Sequence, residues 1–233
     1  MKSIKNSWYL AICIFILQTW SGCQIKRTTD KKDQSFENKE MLEASLTFSK
    51  NQWKEINQSD NHFTAAVKAY KEHNNPEVIR QIRMGIHAII NEGEDLEGEP
   101  KTRLLKDMRY MKDVIFEIEN NRLNDMMALQ DALATAELAV AHEYSNDMNV
   151  YSIKVPLPDS YYPHYKAALK AIMGAQKRMR GEALKEVRVL LSESNQVLDQ
   201  IDEGKNLSEQ QIRDQKAKMD AFLAKYYHPE QTA

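Results

Sequence analysis

Cysteine, glycine and proline are all scarce in this sequence of 233 residues, which contains two, seven and six of them. Runs of β-branched residues are almost absent after residue 23, while the strong helix formers Ala, Leu, Lys, Glu, Gln and Met are plentiful. With so few cysteines the chain cannot be a disulfide-rich scaffold. We therefore predict an all-α protein.

Sequence motifs of common enzyme classes are also missing. The chain has no glycine-rich phosphate loop, no nucleophile elbow and no paired-cysteine motif. Its six histidines are never three or four residues apart, and no Glu-x-x-His pair marks a di-metal centre. These absences lead us to expect no catalytic residues, no metal site and no cofactor.

The first 23 residues have the pattern of an export signal. Lys2 and Lys5 precede an apolar run over residues 8–17, and small residues follow at Ser21 and Gly22. The apolar run is about half of the ~20 residues that a membrane-spanning helix needs. We predict that residues 1–22 form a signal peptide, which would place the rest of the chain outside the cytoplasm.

The end of this signal, Trp20-Ser21-Gly22-Cys23, resembles the lipobox of bacterial lipoproteins, with Trp20 in place of the usual aliphatic residue. The resemblance implies that Cys23 is lipidated and becomes the mature N-terminus. It also implies anchoring in a bacterial cell envelope, with the outer membrane favoured over the inner. Removal of residues 1–22 would remove Cys13 and leave Cys23 as the only thiol. The alternatives are ordinary secretion after cleavage at Gly22 and an uncleaved anchor.

The predicted mature chain is close to neutral. Without residues 1–22 it has 211 residues, with 30 basic and 34 acidic side chains and a formal charge of −4. A nucleic-acid-binding protein is expected to be basic, so we expect no nucleic acid as a partner. The expected partners are the membrane, through the lipid anchor, and an envelope protein or an anionic surface component.

Helical periodicity divides the mature chain into a tether and one domain. Residues 23–35 are polar and without period and form the tether, and residues 36–230 form a single helical domain. The predicted helices cover residues 36–57, a short stretch around Phe63, and residues 75–91, 102–146, 163–203 and 208–227. Their spacing predicts an elongated bundle of five to six helices. Two of these, over 102–146 and 163–203, would be long and antiparallel, the first with a bend at Asn120–Asn121.

Three local signals place helix ends. Ser59-Asp60-Asn61 can cap the short helix around Phe63, and Asn75-Pro76 predicts an N-cap followed by proline at the first helical position. The sequence from Ser208 to Gln211 has the pattern of a capping box. The last helix should therefore begin directly after Ser208.

The segment between the two long helices, residues 149–165, is rich in tyrosine and proline. A proline-stiffened loop presents tyrosine side chains at low entropic cost, so a partner or a ligand could bind there. The candidate residues are Tyr151, Tyr161, Tyr162 and Tyr165. The competing interpretation, which we favour, is a crossover whose tyrosines close one end of the bundle.

A second candidate is a row of basic residues on the helix over 163–203. Most of them are expected to point away from the core, and Gly174 and Gly181 on the same side would let a flat anionic surface approach closely. The candidate residues are Lys166, Lys170, Lys177, Arg178, Lys185 and Arg188, with Arg180 in the same row. Solvated charge on an amphipathic helix is the favoured alternative.

Residues 92–99 carry five carboxylates and no basic residue. Oxygen-rich loops can bind calcium, but the spacing does not match a helix–loop–helix calcium site. We interpret the segment as a solvated loop, or as a partner for the basic row.

The function favoured by these features is non-catalytic binding or scaffolding by a lipid-anchored envelope protein. The alternative is a ligand-binding or sensory bundle whose pocket lies at the tyrosine-rich segment 149–165. A cavity beside Tyr161, Tyr162 and Tyr165 would favour that alternative, and a solid core there would count against it.

Overall fold

The computed structural model describes residues 57–150, 161–205 and 207–228, which all belong to one compact unit. These residues form helices and connecting turns, with no strand among them, so the all-α prediction is confirmed. The helices are α1 (Gln58–Lys71), α2 (Asn75–Glu92), α3 (Gly98–Asp107), α4 (Tyr110–Glu119), α5 (Met126–Val150), α6 (Tyr161–Gln176), α7 (Gly181–Asp202) and α8 (Glu209–Tyr226). The predicted signal, Cys23, the tether, nearly all of the first predicted helix, and Tyr151 lie outside the described residues.

Helix α5 occupies the centre of the described structure. It packs against α1, α2, α3, α4, α6 and α8. All ten residues from 132 to 141 are buried, and half of them are alanines, whose small side chains let neighbouring helices approach closely. A helix surrounded in this way cannot show a clear amphipathic stripe, because every face meets the core.

Neither of the two long helices expected from the sequence is continuous. The segment 102–146 is divided among α3, α4 and α5, with Asn121 in the left-handed region at φ 53°. The segment 163–203 is divided between α6 and α7, and Gly181 begins α7 at φ 56°. The predicted bend at Asn120–Asn121 coincides with the end of α4. Apolar periodicity does not reveal the other two breaks, because apolar positions on either side of a short interruption continue to fit the same row.

The helix-end signals agree with the structure to different degrees. Ser208 forms the predicted capping box with Gln211, which is confirmed. Helix α2 is capped one residue earlier than predicted, by the Asn74 side chain, so Pro76 stands at the second helical position. The predicted cap at Ser59-Asp60-Asn61 is wrong, since α1 already begins at Gln58 and no side chain caps it.

No helix within the described ranges combines the length and the apolar character that a membrane crossing needs.

Candidate functional site

The tyrosines at the start of α6 pack into the core. Tyr161 and Tyr165 are buried and their rings stack with centroids 6.2 Å apart, and Tyr162 meets Tyr161 edge-on. Burial raises the pKa of Tyr165 to about 12. The cavity beside them measures about 10 Å³, room for roughly one water molecule. The described part of the tyrosine-rich segment therefore closes the core, and it does not enclose a ligand-sized space.

The basic row does not form one exposed surface, because Arg178 turns into the protein. Its side chain is 3% exposed and lies between α1 and α5. Its Nη1 donates to Asp60 Oδ1 at 3.0 Å, to Glu137 Oε2 at 2.8 Å and to a backbone carbonyl of α6 at 3.0 Å. Its Nη2 donates to the Asp60 carbonyl and to Thr64 Oγ1, both at 3.1 Å. The prediction that Arg178 belongs to an anion-binding surface is wrong.

Three carboxyl groups from three helices lie close enough to interact electrostatically, and two of them contact Arg178. Asp60 comes from α1, Glu92 from the end of α2 and Glu137 from α5. Together with Lys177, which also pairs with Asp60, these residues form what we call the buried charge cluster. Burial raises the pKa of Glu137 well above its ordinary range, and the nearby Arg178 opposes that rise.

Glu92 links this cluster to the first and second helices. Its carboxylate accepts hydrogen bonds from the Ser59 amide at 2.9 Å and the Ser59 hydroxyl at 2.8 Å. Lys170 is close enough to act on it electrostatically, so one residue of the acidic segment 92–99 does approach the basic row. The remaining acidic residues of the segment are exposed, as expected for a solvated loop.

Gly174 lies against the buried charge cluster, and its expected place on an outer helix face is wrong. A Cβ at this position would lie 2.6 Å from Glu137 Oε1. The glycine is therefore a close-approach position between α6 and α5. Of the predicted basic residues, Lys185 and Arg188 remain exposed on α7, while Lys166 and Lys170 are half-buried.

A second polar cluster surrounds Glu143, which is fully buried on α5. Glu143 Oε2 accepts from Arg103 at 2.8 Å, and Glu143 Oε1 lies 2.9 Å from His142 Nδ1. Asp107 accepts a hydrogen bond from the Tyr227 hydroxyl beside it, and burial raises the pKa of both groups. Both oxygens of Glu143 are thus occupied by protein partners, which favours a structural role. Within the described ranges no three acidic, histidine or cysteine side chains are arranged to hold a metal ion.

A groove of about 360 Å³ lies beside the break between α6 and α7. One wall is a single face of α5, the other is the start of α7, and the end of α8 closes one side. Its lining residues, which define the Arg180 groove, are Asp131, Ala134, Thr135, Leu138, Met179, Arg180, Ala183, Tyr226 and His228. The α5 members follow the spacing i, i+3, i+4, i+7, so they share one helix face.

Arg180 supplies the main charge at this groove. Its Nη2 binds both carboxylate oxygens of Asp131, at 2.7 and 2.8 Å, and its Nη1 donates to Gln130 Oε1 at 3.1 Å. Thr135 Oγ1 donates to the Asp131 carbonyl at 2.9 Å, and His228 Nε2 donates to a backbone carbonyl at 3.0 Å. The arrangement combines an apolar floor with a few polar groups and can bind a small molecule.

Sequence reasoning missed this groove. Arg180 was noticed only as one member of the basic row, and Asp131, Tyr226 and His228 were not singled out. The spacing of the residues that follow Asp131 predicts that they share one face of a helix. No local pattern in the sequence predicts that residues 180 and 226 lie beside that face.

Comparison of the chain with protein-family models, with curated proteins and with solved structures found no match.

Proposed function

We propose that this protein is a lipid-anchored cell-envelope protein with a non-catalytic binding role, and that the Arg180 groove is its binding site. The observation that carries the binding role is the groove itself. Its volume of about 360 Å³ falls within the roughly 300–1,000 Å³ typical of small-molecule sites. Its lining mixes apolar side chains with a guanidinium, the carboxylate paired with it, a hydroxyl and an imidazole.

The anchoring half of the proposal rests on the sequence from Trp20 to Cys23. A diacylglyceryl group on Cys23 would bury two acyl chains, and two chains suffice for stable anchoring. A tether of 12 residues after the cysteine has a root-mean-square reach of ~20 Å, enough to hold the domain clear of the lipid headgroups. The site of action is then the bacterial envelope, with the outer membrane favoured.

The structure offers less support for a pocket at the tyrosine-rich segment. The cavity of about 10 Å³ beside Tyr161, Tyr162 and Tyr165 is smaller than any organic ligand. A ligand-binding role for the domain is therefore better assigned to the Arg180 groove.

A fluorescence titration tests the binding role. The protein is the complete chain after residue 22, carrying Cys23→Ser so that it bears no acyl group. The probe is N-phenyl-1-naphthylamine, an uncharged aromatic compound whose emission rises in an apolar site. We expect the parent chain to bind one molecule of probe saturably, because the groove has an apolar floor.

Two matched variants locate the bound probe. Ala183→Trp places an indole in the groove and should weaken binding by about tenfold or more, since the added ring occupies the space that the probe needs. Val189→Trp adds the same ring at an exposed position of α7 and should leave binding unchanged. Absence of saturable binding to the parent chain, or equal binding by both variants, would refute the groove as the binding site.

A further inference from the structure

We infer that the ligand of the Arg180 groove is a small amphipathic anion, a carboxylate, phosphate or sulfonate attached to an aromatic or aliphatic body. The anion would take the place of the Asp131 carboxylate on the guanidinium of Arg180. This inference rests on the proposed function, because it names the ligand class of the same site.

The polar half of the argument is the geometry of Arg180. Its guanidinium already holds a carboxylate, that of Asp131, through two contacts of 2.7 and 2.8 Å. A planar guanidinium binds carboxylate and phosphate oxygens better than it binds other ligand groups. The pair is a surface pair, with side chains 40% and 56% exposed, and such pairs contribute little net stability. Replacement of Asp131 by an incoming anion therefore costs little free energy, and the displaced carboxylate can be hydrated instead.

The apolar half of the argument is the floor of the groove. Ala134 and Leu138 are buried on α5, and Met179 and Ala183 face them from the connection and the start of α7. Alanines leave room for a flat body, and a methionine side chain adapts to irregular shapes. A bare inorganic anion would leave this apolar surface uncovered, so the fitting ligand carries an apolar body behind its charged group.

The charge at the groove also favours an anion over a cation. The charged lining residues are Asp131 and Arg180. The single lining carboxylate is already paired with Arg180. Of the two partners Asp131 is the more exposed, at 56% against 40% for Arg180, so an incoming ligand displaces the carboxylate more easily than the guanidinium.

Two probes with one aromatic framework test the ligand class. 8-Anilino-1-naphthalenesulfonate carries a sulfonate, and N-phenyl-1-naphthylamine is the same framework without it. Both are titrated into the complete chain after residue 22 with Cys23→Ser, and thermal unfolding is recorded for every variant. We expect Arg180→Gln to weaken binding of the sulfonate by about tenfold or more, because a charge-assisted contact is lost. Binding of the uncharged probe should change by less than about twofold, since the floor is intact.

Two further variants complete the design. Asp131→Asn removes the competing carboxylate and should strengthen binding of the sulfonate severalfold relative to binding of the uncharged probe. Arg188→Gln removes an exposed arginine of α7 that does not line the groove, and it should change neither affinity. Because Asp131→Asn predicts a gain of affinity, the inference stays testable even if Arg180→Gln unfolds.

The outcomes separate the two proposals. If both probes bind the parent chain but Arg180→Gln and Asp131→Asn leave the affinity for the sulfonate unchanged, the anion inference is overturned and the groove stands. If Arg188→Gln lowers the affinity for the sulfonate as much as Arg180→Gln does, the probe binds by nonspecific attraction to basic side chains. The inference is then also overturned. If neither probe binds the parent chain, the proposed binding site itself fails.

Discussion

Arg178 shows that a single side chain can be buried although most of the basic residues near it in the sequence are exposed. It belongs by sequence to a row of basic residues, most of which are at least partly exposed. The helix stops at Gln176, however, and the change of direction that follows carries Arg178 inward to Asp60 and Glu137. The carboxyl groups of Asp60 and Glu137 accept hydrogen bonds from it there, and both terminal nitrogens make further hydrogen bonds, so burial leaves few of its donors unsatisfied.

The first prediction concerns the loss of this buried charge. Arg178→Met would remove the buried guanidinium that Asp60 and Glu137 share and leave their oxygens without that donor, and it should lower the free energy of unfolding by about 3–5 kcal/mol. Urea unfolding followed by circular dichroism measures the change. Arg188→Met, at an exposed site of α7, is the control and should stay within about 0.5 kcal/mol of the parent. Equal effects of the two substitutions would contradict the assigned role of Arg178.

The second prediction concerns the pH dependence of stability. Burial raises the pKa of Glu137, so the folded protein holds a proton at this site over a pH range in which the unfolded chain has lost it. The contribution of Glu137 to the free energy of unfolding is therefore greatest below the pKa that this group has in the unfolded chain, near 4.5. It falls as the pH rises towards the pKa that Glu137 has in the folded protein. Glu137→Gln removes the titrating proton and should flatten the decline in unfolding free energy as the pH rises above about 4.5.

Urea unfolding of parent and variant at several pH values tests that slope. Glu97→Gln, an exposed carboxylate of the acidic segment, is the matched control and should leave the slope as it is. A Glu137→Gln variant with the slope of the parent would show that Glu137 does not titrate with a raised pKa.

At the scale of helices, α1 and α2 approach each other through a glycine. Gly85 lies on α2 against the buried ring of Phe63 on α1, and a Cβ at this position would lie 2.2 Å from Cε1 of that ring. No real side chain tolerates such a distance, and a fully buried ring has little room to move.

The third prediction follows from this contact. Alanine is the better helix former by about 1 kcal/mol, yet Gly85→Ala should lower the free energy of unfolding by about 1–3 kcal/mol because the overpacking outweighs the propensity gain. The measurement is chemical unfolding. His87→Ala, at an exposed position of the same helix, should be neutral or slightly stabilising. A stabilising Gly85→Ala would mean that the two helices are farther apart than described.

Helix boundaries divide into those that the sequence could predict and those that it could not. The capping box at Ser208 depends on residues three apart, so it is visible locally and was predicted correctly. The breaks between α3 and α4 and between α6 and α7 lack a strong stop signal such as proline. At the second break Arg178 contacts Asp60, and their separation of 118 residues hides the contact from local patterns.

At the scale of the whole molecule, composition was enough for the fold class but not for the site. Few glycines and prolines and many helix formers predicted an all-α protein, which the structure confirms. The Arg180 groove brings together α5, the start of α7 and the end of α8, which lie far apart along the chain. A site assembled from three such segments has no sequence signature, because each segment alone shows only an ordinary helical pattern.

The central claim is that Cys23 holds this domain at a membrane, and the mass of the mature N-terminus tests it most directly. The full-length chain and a Cys23→Ser variant are produced in a bacterial host with lipoprotein processing, fractionated, and analysed by intact and peptide mass spectrometry. We predict that the wild-type chain begins at Cys23, carries a diacylglyceryl group and sediments with membranes, while the variant carries no acyl mass. A wild-type protein that is soluble and free of acyl mass would contradict the claim.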